Sequence, residues 1–204
     1  MDAGTTFSLK LTNGKTLTYR IIGMNHDDLT DGSGKAGLTF LTTSTGIRSR
    51  MNATDTNAGG WGKSELRGKM NSGEIWNLMP SDFQSKVKSV RKITNNVSAV
   101  DKNAAVTVTS DKLFLLSYSE IVPTSYLAPS YSWTSSEGTQ YEAFRGKVLN
   151  NNSANDCLKI GGYWWERSMY PSYKASFLYV LSNGNPSSYD IVTDTYSVLP
   201  AFCF

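Results

Sequence analysis

An α+β fold is predicted by three features of the sequence: an N-terminal hairpin, a helix-patterned stretch from Ser64 to Val90, and a second half built of short strands between frequent turns. Phe7 to Leu11 alternates apolar with polar, Asn13-Gly14 supplies positive-φ turn residues, and Leu17-Thr18-Tyr19-Arg20-Ile21 alternates again. That is the pattern of a β-hairpin. Residues 25–37 are a Gly- and Asp-rich loop, and Leu38 to Thr42 reads as another strand. From Ser64 the apolar residues Leu66, Met70, Ile75, Trp76, Leu78 and Met79 recur at helical spacing, with Gly73 splitting or kinking the segment. Pro80 and Ser81 open a second helix, in which Ser81 and Gln84 stand in capping-box register and Phe83, Val87 and Val90 share a face. Lys86, Lys88, Arg91 and Lys92 fit the solvated side of that helix. Residues 94–110 are polar and loop-like around a short Val106-Thr107-Val108 strand, and Leu113 to Leu116 is a buried strand. Beyond Tyr126, strands are expected at 162–166, 177–181 and 198–204. There is no internal repeat, so residues 1–204 are expected to form one domain.

Composition narrows the functional classes. Of 204 residues, 39% are hydrophobic and 18% charged, too apolar for a disordered chain. No apolar run approaches the ~20 residues of a membrane span, and the N-terminus lacks a signal-peptide pattern. The net charge of +3 comes without a basic block, so neither nucleic-acid binding nor membrane insertion is expected. The two cysteines, Cys157 and Cys203, are compatible with one bridge or with two buried thiols.

Several chemistries lack their residues. His26 is the single histidine, and no G-x-S-x-G elbow accompanies it. Three Cys and His residues spread along the whole chain make a poor zinc cage. Gly62-Lys63-Ser64 resembles the end of a phosphate loop, but position 57 is Asn where that motif needs Gly, so Ser64 reads as a helix N-cap. Asp27, Asp28 and Asp31 could suggest calcium, yet the EF-hand spacing is absent and turn formation explains them. No catalytic residue, metal ligand or cofactor is expected.

The informative region is the last forty residues. Six of the eleven tyrosines fall between Tyr163 and Tyr196, among many Ser, Asn and Thr and only two basic residues, Arg167 and Lys174. Tyrosine offers large contact area at low entropic cost and Ser or Asn adapt their hydrogen bonds, which is the composition of a binding surface. Alternation assigns Tyr179 a structural place beside Phe177 and Leu181, while Tyr170, Tyr173, Tyr189 and Tyr196 sit in turn-like context and are expected to be exposed.

Gly161-Gly162-Tyr163-Trp164-Trp165-Glu166-Arg167-Ser168, Phe177-Leu178-Tyr179-Val180, Ser182-Asn183-Gly184 and Leu199-Pro200-Ala201-Phe202-Cys203-Phe204 resemble a domain of gut bacteria and their phages, related to the C-type lectin and formylglycine-generating-enzyme folds. Upstream blocks such as LRGKMNSGEIWNLMP and KLFLLSYSEI extend the resemblance over nearly the whole chain. It implies a C-type lectin-like fold, with small antiparallel sheets, two flanking helices and a loop-rich face. It also resembles the variable proteins of diversity-generating retroelements, in which adenine-directed mutagenesis rewrites codons near the C-terminus. Glu166, Met169 and Ser197 depart from the family pattern, which usually has leucine, proline and glycine there.

The reading is therefore a non-enzymatic receptor-recognition protein with a variable binding region at about 164–197. Its expected contact surface is Glu166, Met169, Tyr170, Ser172, Tyr173, Lys174, Tyr189, Asp190, Thr193, Asp194 and Tyr196. A frame of Trp61, Trp76, Trp164, Trp165, Phe177, Phe202 and Phe204 would hold it rigid. The expected partner is a protein or glycan on a cell surface, met from a phage tail tip or a bacterial surface. A homo-oligomer or attachment to a larger tail protein would add avidity. The alternatives are a structural module of such a larger protein and a formylglycine-generating-like enzyme.

Overall fold

The computed structural model describes residues 5–98, 105–126, 129–150, 154–171 and 175–204. The chain runs through β1 (Thr6–Lys10), β2 (Thr16–Met24), β3 (Leu38–Thr42), β4 (Arg48–Ser49), α1 (Gly60–Lys63), α2 (Glu65–Asn71), α3 (Glu74–Asn77) and α4 (Ser81–Gln84). It continues through β5 (Val90–Asn95), β6 (Val106–Asp111), β7 (Leu113–Phe114), α5 (Tyr118–Ile121) and a 3₁₀ segment at Pro129–Glu137. The C-terminal part holds β8 (Trp164–Pro171), β9 (Ala175–Val180), β10 (Ser188–Ile191), β11 (Tyr196–Ser197) and β12 (Ala201–Cys203). This is a mixed α+β fold of small sheets and few, short helices.

Two five-stranded sheets organise it. The first has the order β1-β2-β3-β12-β7, so the C-terminal strand slots between β3 and β7. The expected hairpin forms this sheet's edge, with Gly14 at φ 84° in its turn. Phe40 and Phe202 stack across β3 and β12 at 5.2 Å, and Tyr19, Phe83 and Phe204 pack edge-on or tilted around them. The second sheet has the order β10-β9-β8-β11-β4. Trp61, Trp164, Trp165 and Phe177 are each 1% exposed or less, and Trp76 and Phe202 are buried with them; only Phe204 is half-buried.

The helical region differs from expectation. Ser64 does cap α2, its hydroxyl accepting the Arg67 N–H, and the chain does break at Gly73. The second helix, however, is one turn long. Pro80 rather than Ser81 is its N-cap, no capping box forms, and Val90 opens a strand. Spacing explains the difference: Phe83, Val87 and Val90 fit a helix face, but Val90, Lys92 and Thr94 also fit the inward face of a strand, and the β-branched residues favour the latter. Residues 94–110 are correspondingly less loop-like than expected, since β6 pairs with β5 over six residues.

Lys92 is thereby turned from an expected surface lysine into the centre of a buried ion cluster. Its Nζ lies 2.7 Å from Asp27 Oδ1 and 2.5 Å from Glu120 Oε1, and sits 4.2 Å over the Phe114 ring. Arg167 Nη1 donates to Glu120 Oε2 at 2.5 Å and to the Leu115 carbonyl at 2.8 Å, while Nη2 donates to the Glu137 carbonyl at 2.7 Å. Thr39 and Tyr141 hydroxyls donate to Asp27. Burial alone would raise the carboxyls of Asp27 and Glu120, but Lys92 holds the first, and Arg167 with Lys92 the second, below the ordinary range. Two cations thus balance two carboxylates and tie the 25–37 loop, β5, α5 and β8 together. Asp27 is a core residue, a correction to its reading as a turn former. Asp31 does form its turn, accepting the Ser33 N–H, and Asp28 pairs with Lys35 on the surface.

Candidate functional site

The tyrosine-rich surface is built on β8, β9 and β10. Tyr189 pairs with Leu178 and Asp190 with Phe177, so these neighbours leave opposite faces of the sheet. On the Tyr189 side, Tyr170 of β8 stacks on Tyr189 at 3.8 Å with rings 10° apart. Tyr131 and Trp133, from the 3₁₀ segment, support the pair at 6.3 and 6.0 Å from Tyr170. They are themselves pinned: the Tyr131 hydroxyl donates to the Ser187 carbonyl at 2.9 Å, and Trp133 Nε1 donates to the Met169 carbonyl at 3.1 Å. Tyr189 is 48% exposed.

On the opposite side Tyr179 and Tyr196 stack at 4.7 Å, with Tyr163 edge-on to both and Trp165 beneath Tyr196 at 4.7 Å. The Tyr196 hydroxyl donates to Asp190. Tyr163 is 43% exposed. Burial, then the neighbouring Asp190, raises the Asp194 carboxyl. Burial likewise raises the phenols of Tyr170, Tyr179 and Tyr196, and pushes Tyr131 up to about 12. All of these rings therefore keep their O–H at neutral pH and can donate as well as accept.

The expected contact residues divide accordingly. Tyr170 and Tyr189 share one face, Asp190 and Tyr196 the other, and Thr193 and Asp194 are half-buried in the turn between β10 and β11. Ser172, Tyr173 and Lys174 lie outside the described residues. Glu166 and Met169 are corrections: they are 0% and 1% exposed and cannot touch a ligand on the surface. The cause is a bulge. Trp165 pairs with Tyr179 and Met169 with Phe177, so β8 carries two more residues than β9 over this interval. Glu166, Arg167 and Ser168 leave the ladder and are all buried, in a stretch where both faces of β8 are covered, as the burial of Trp164 and Trp165 shows. Met169 packs against Gly60, where an added Cβ would lie 2.8 Å from its Sδ. Tyr131, Trp133, Tyr163, Trp165 and Tyr179 are the aromatic members of these two groups that the expected contact set lacks. The Tyr131-Ser132-Trp133 triplet has the same Tyr–Ser character, far from the tyrosine-rich tail in sequence.

The buried carboxyls show how tightly the platform is set. Glu137 accepts from Ser168 Oγ and, at 2.9 Å, from the Asn95 N–H, and burial lifts it to about 7 despite those bonds and Arg167. Among the described residues neither oxygen of Glu166 has a hydrogen-bond partner, and burial, reinforced by Glu137, raises its carboxyl well above the ordinary range. A cavity of about 200 Å³ opens beside Lys92, His26 and Glu137. Its ionised floor groups are already paired with one another, and the His26 ring stacks on Tyr141 at 4.1 Å with Nδ1 3.7 Å from Glu142. Both cysteines are free thiols; Cys203 is buried beside Thr39 and Asp27, and burial raises both. Among the described residues no three His, Cys, Asp or Glu side chains are grouped to hold a metal ion, and no helix is long and apolar enough to cross a membrane.

Residues 36–204 match the sequence profile of a domain of unknown function, DUF6273. The chain belongs to the DUF6273 family. No curated protein and no solved structure gives a match. The DUF6273 span runs from just before β3 to the C-terminus, so it contains both tyrosine groups and every member of the ion cluster except Asp27.

Proposed function

We propose that this DUF6273 chain is a non-enzymatic recognition domain with a C-type-lectin-like scaffold, which binds a protein or glycan on a cell surface through its tyrosine groups. The observation that carries this reading is the Tyr170–Tyr189 stack: a half-exposed ring held flat against another, over an aromatic support. Rings fixed in this way lose little freedom on binding, and tyrosine anchors commonly dominate interface energy. The scaffold assignment rests on the sequence resemblance. Deployment on a phage tail tip or bacterial surface, and diversification by a retroelement, belong to the same proposal. The free thiols favour it over formylglycine-type chemistry, because raised thiols supply little thiolate.

Replacing Tyr163 and Tyr189 together by Ser tests it. Each substitution removes a half-exposed ring from an aromatic contact worth about 0.5–1.5 kcal/mol, so the melting curve shifts down by several degrees but the chain stays folded at the assay temperature. Binding of the fluorescently labelled protein to a panel of gut bacterial cells and to a glycan array should fall at least tenfold. Unchanged binding in the folded variant would overturn the reading. Diversification has its own check. Among sister sequences, changes should concentrate at Tyr189, Asp190, Thr193 and Asp194 and spare residues 164–169; an even spread would argue against it.

A further inference from the structure

A second candidate site involves the first sheet and the segment before β8. A half-open cavity of about 230 Å³ is lined by Arg20 and Thr42 of the first sheet, by Cys157 and Lys159, and by apolar walls that include Leu158 and Trp164. Arg20 is its unusual member. Its guanidinium rests over the Phe144 ring at 5.8 Å, and Nη2 donates to the Cys157 carbonyl at 2.6 Å. That carbonyl is its single hydrogen-bond partner, and among the described residues no carboxylate lies within ion-pair distance. By contrast Arg67, half-buried like Arg20, pairs with Asp111, and the fully buried Arg167 pairs with Glu120. A cation removed from water is ordinarily paired, because its desolvation is otherwise uncompensated. Burial accordingly lowers the Arg20 guanidinium from its ordinary value. Asp156 also lines the cavity, but its carboxylate is 91% exposed at the mouth and held by Lys159 at 2.6 Å.

We propose that this cavity binds a small carboxylate with an apolar body, the carboxylate meeting Arg20 and the body lying against the half-buried Ile160, with Leu158 and Trp164 packed behind it. The planar fork of a guanidinium matches a carboxylate, and the mixture of one free cation with apolar walls selects against bare inorganic anions. The volume falls below the ~300 Å³ at which drug-sized ligand sites begin, so the ligand is small. A free acid and the C-terminus of a peptide present the same group, and the test separates them.

Phenylacetate, a tripeptide ending in phenylalanine, phenethyl alcohol and inorganic phosphate are titrated into the folded chain by calorimetry. The labelling of Cys157 by 4,4′-dithiodipyridine is followed in parallel. Cys203 is 0% exposed and serves as the unlabelled reference. The expected result is that phenylacetate or the tripeptide binds and slows Cys157 labelling, while the alcohol and phosphate do neither. The tighter of the two binders identifies the source of the carboxylate. Arg20→Gln is expected to weaken that binding at least tenfold, and Lys159→Gln much less. Equal binding of the alcohol, equal binding of phosphate, binding without protection of Cys157, or no binding by either carboxylate would overturn the proposal. The probe comparison uses the unaltered protein, so it decides the matter even if Arg20→Gln does not fold.

Discussion

Lys92→Met should destabilise the chain by about 3–5 kcal/mol, read as a fall of roughly 6–20 °C in melting temperature. Methionine fills much of the lysine's volume, so the loss is electrostatic. Asp27 and Glu120 are both buried, and removal of the ammonium leaves them facing each other with Arg167 as the one remaining cation, beside the hydroxyls of Thr39 and Tyr141, the Cys203 thiol and the Ser117 N–H. The acid limb of the stability curve tests the same point. Asp27 and Glu120 have carboxyls held below their unfolded values, so the stability they contribute is present above about pH 4 and is lost as pH falls through their folded values. In Lys92→Met that acid limb should flatten, because protonating either carboxyl then relieves repulsion. A loss under about 1 kcal/mol would show that the cluster is solvated.

Glu166→Leu should act in the opposite direction, stabilising by about 1–3 kcal/mol at neutral pH, the usual cost of a buried polar group without a partner. Among the described residues its carboxyl has no hydrogen-bond partner, it has no exposed surface, and leucine is close in size. The gain should grow with pH. Glu166 and Glu137 both have folded values raised above the unfolded carboxylate, so the stability of the protonated forms is complete below about pH 4.5 and is lost as pH rises, through about 7 for Glu137. Urea titrations of both proteins at pH 4.5 and pH 8 should therefore show a larger difference at pH 8. A pH-independent difference would mean that Glu166 ionises in the fold as it does in the unfolded chain, and so is solvated. Together the two limbs predict greatest stability between the two windows, on the acid side of neutrality.

Local pattern carried the hairpin, β3, the Ser64 cap, the break at Gly73 and the C-terminal strand, because each is set by residues close in sequence. The second helix failed because Val90, Lys92 and Thr94 serve a strand as well as a helix, and pairing with β6 decided between them. The ion cluster was illegible for a different reason. Asp27, Lys92, Glu120 and Arg167 are 28 to 140 residues apart, and charged side chains in isolation read as surface. At the candidate site, composition found the tyrosines but could not tell that Tyr189 and Asp190 leave opposite faces. Nor could it see the bulge that hides Glu166 and Met169.

That two-residue excess in β8 helps sort the tyrosine-rich region into a part open to variation and a part closed to it. Positions 166 to 169 are committed to the interior, so randomising them would sample misfolded chains. Randomising 189, 190, 193 and 194 would sample new specificities at little cost to folding. A library built on this scaffold gains most from keeping the Trp164–Met169 run out of the randomised set and exchanging the outward ring and turn positions.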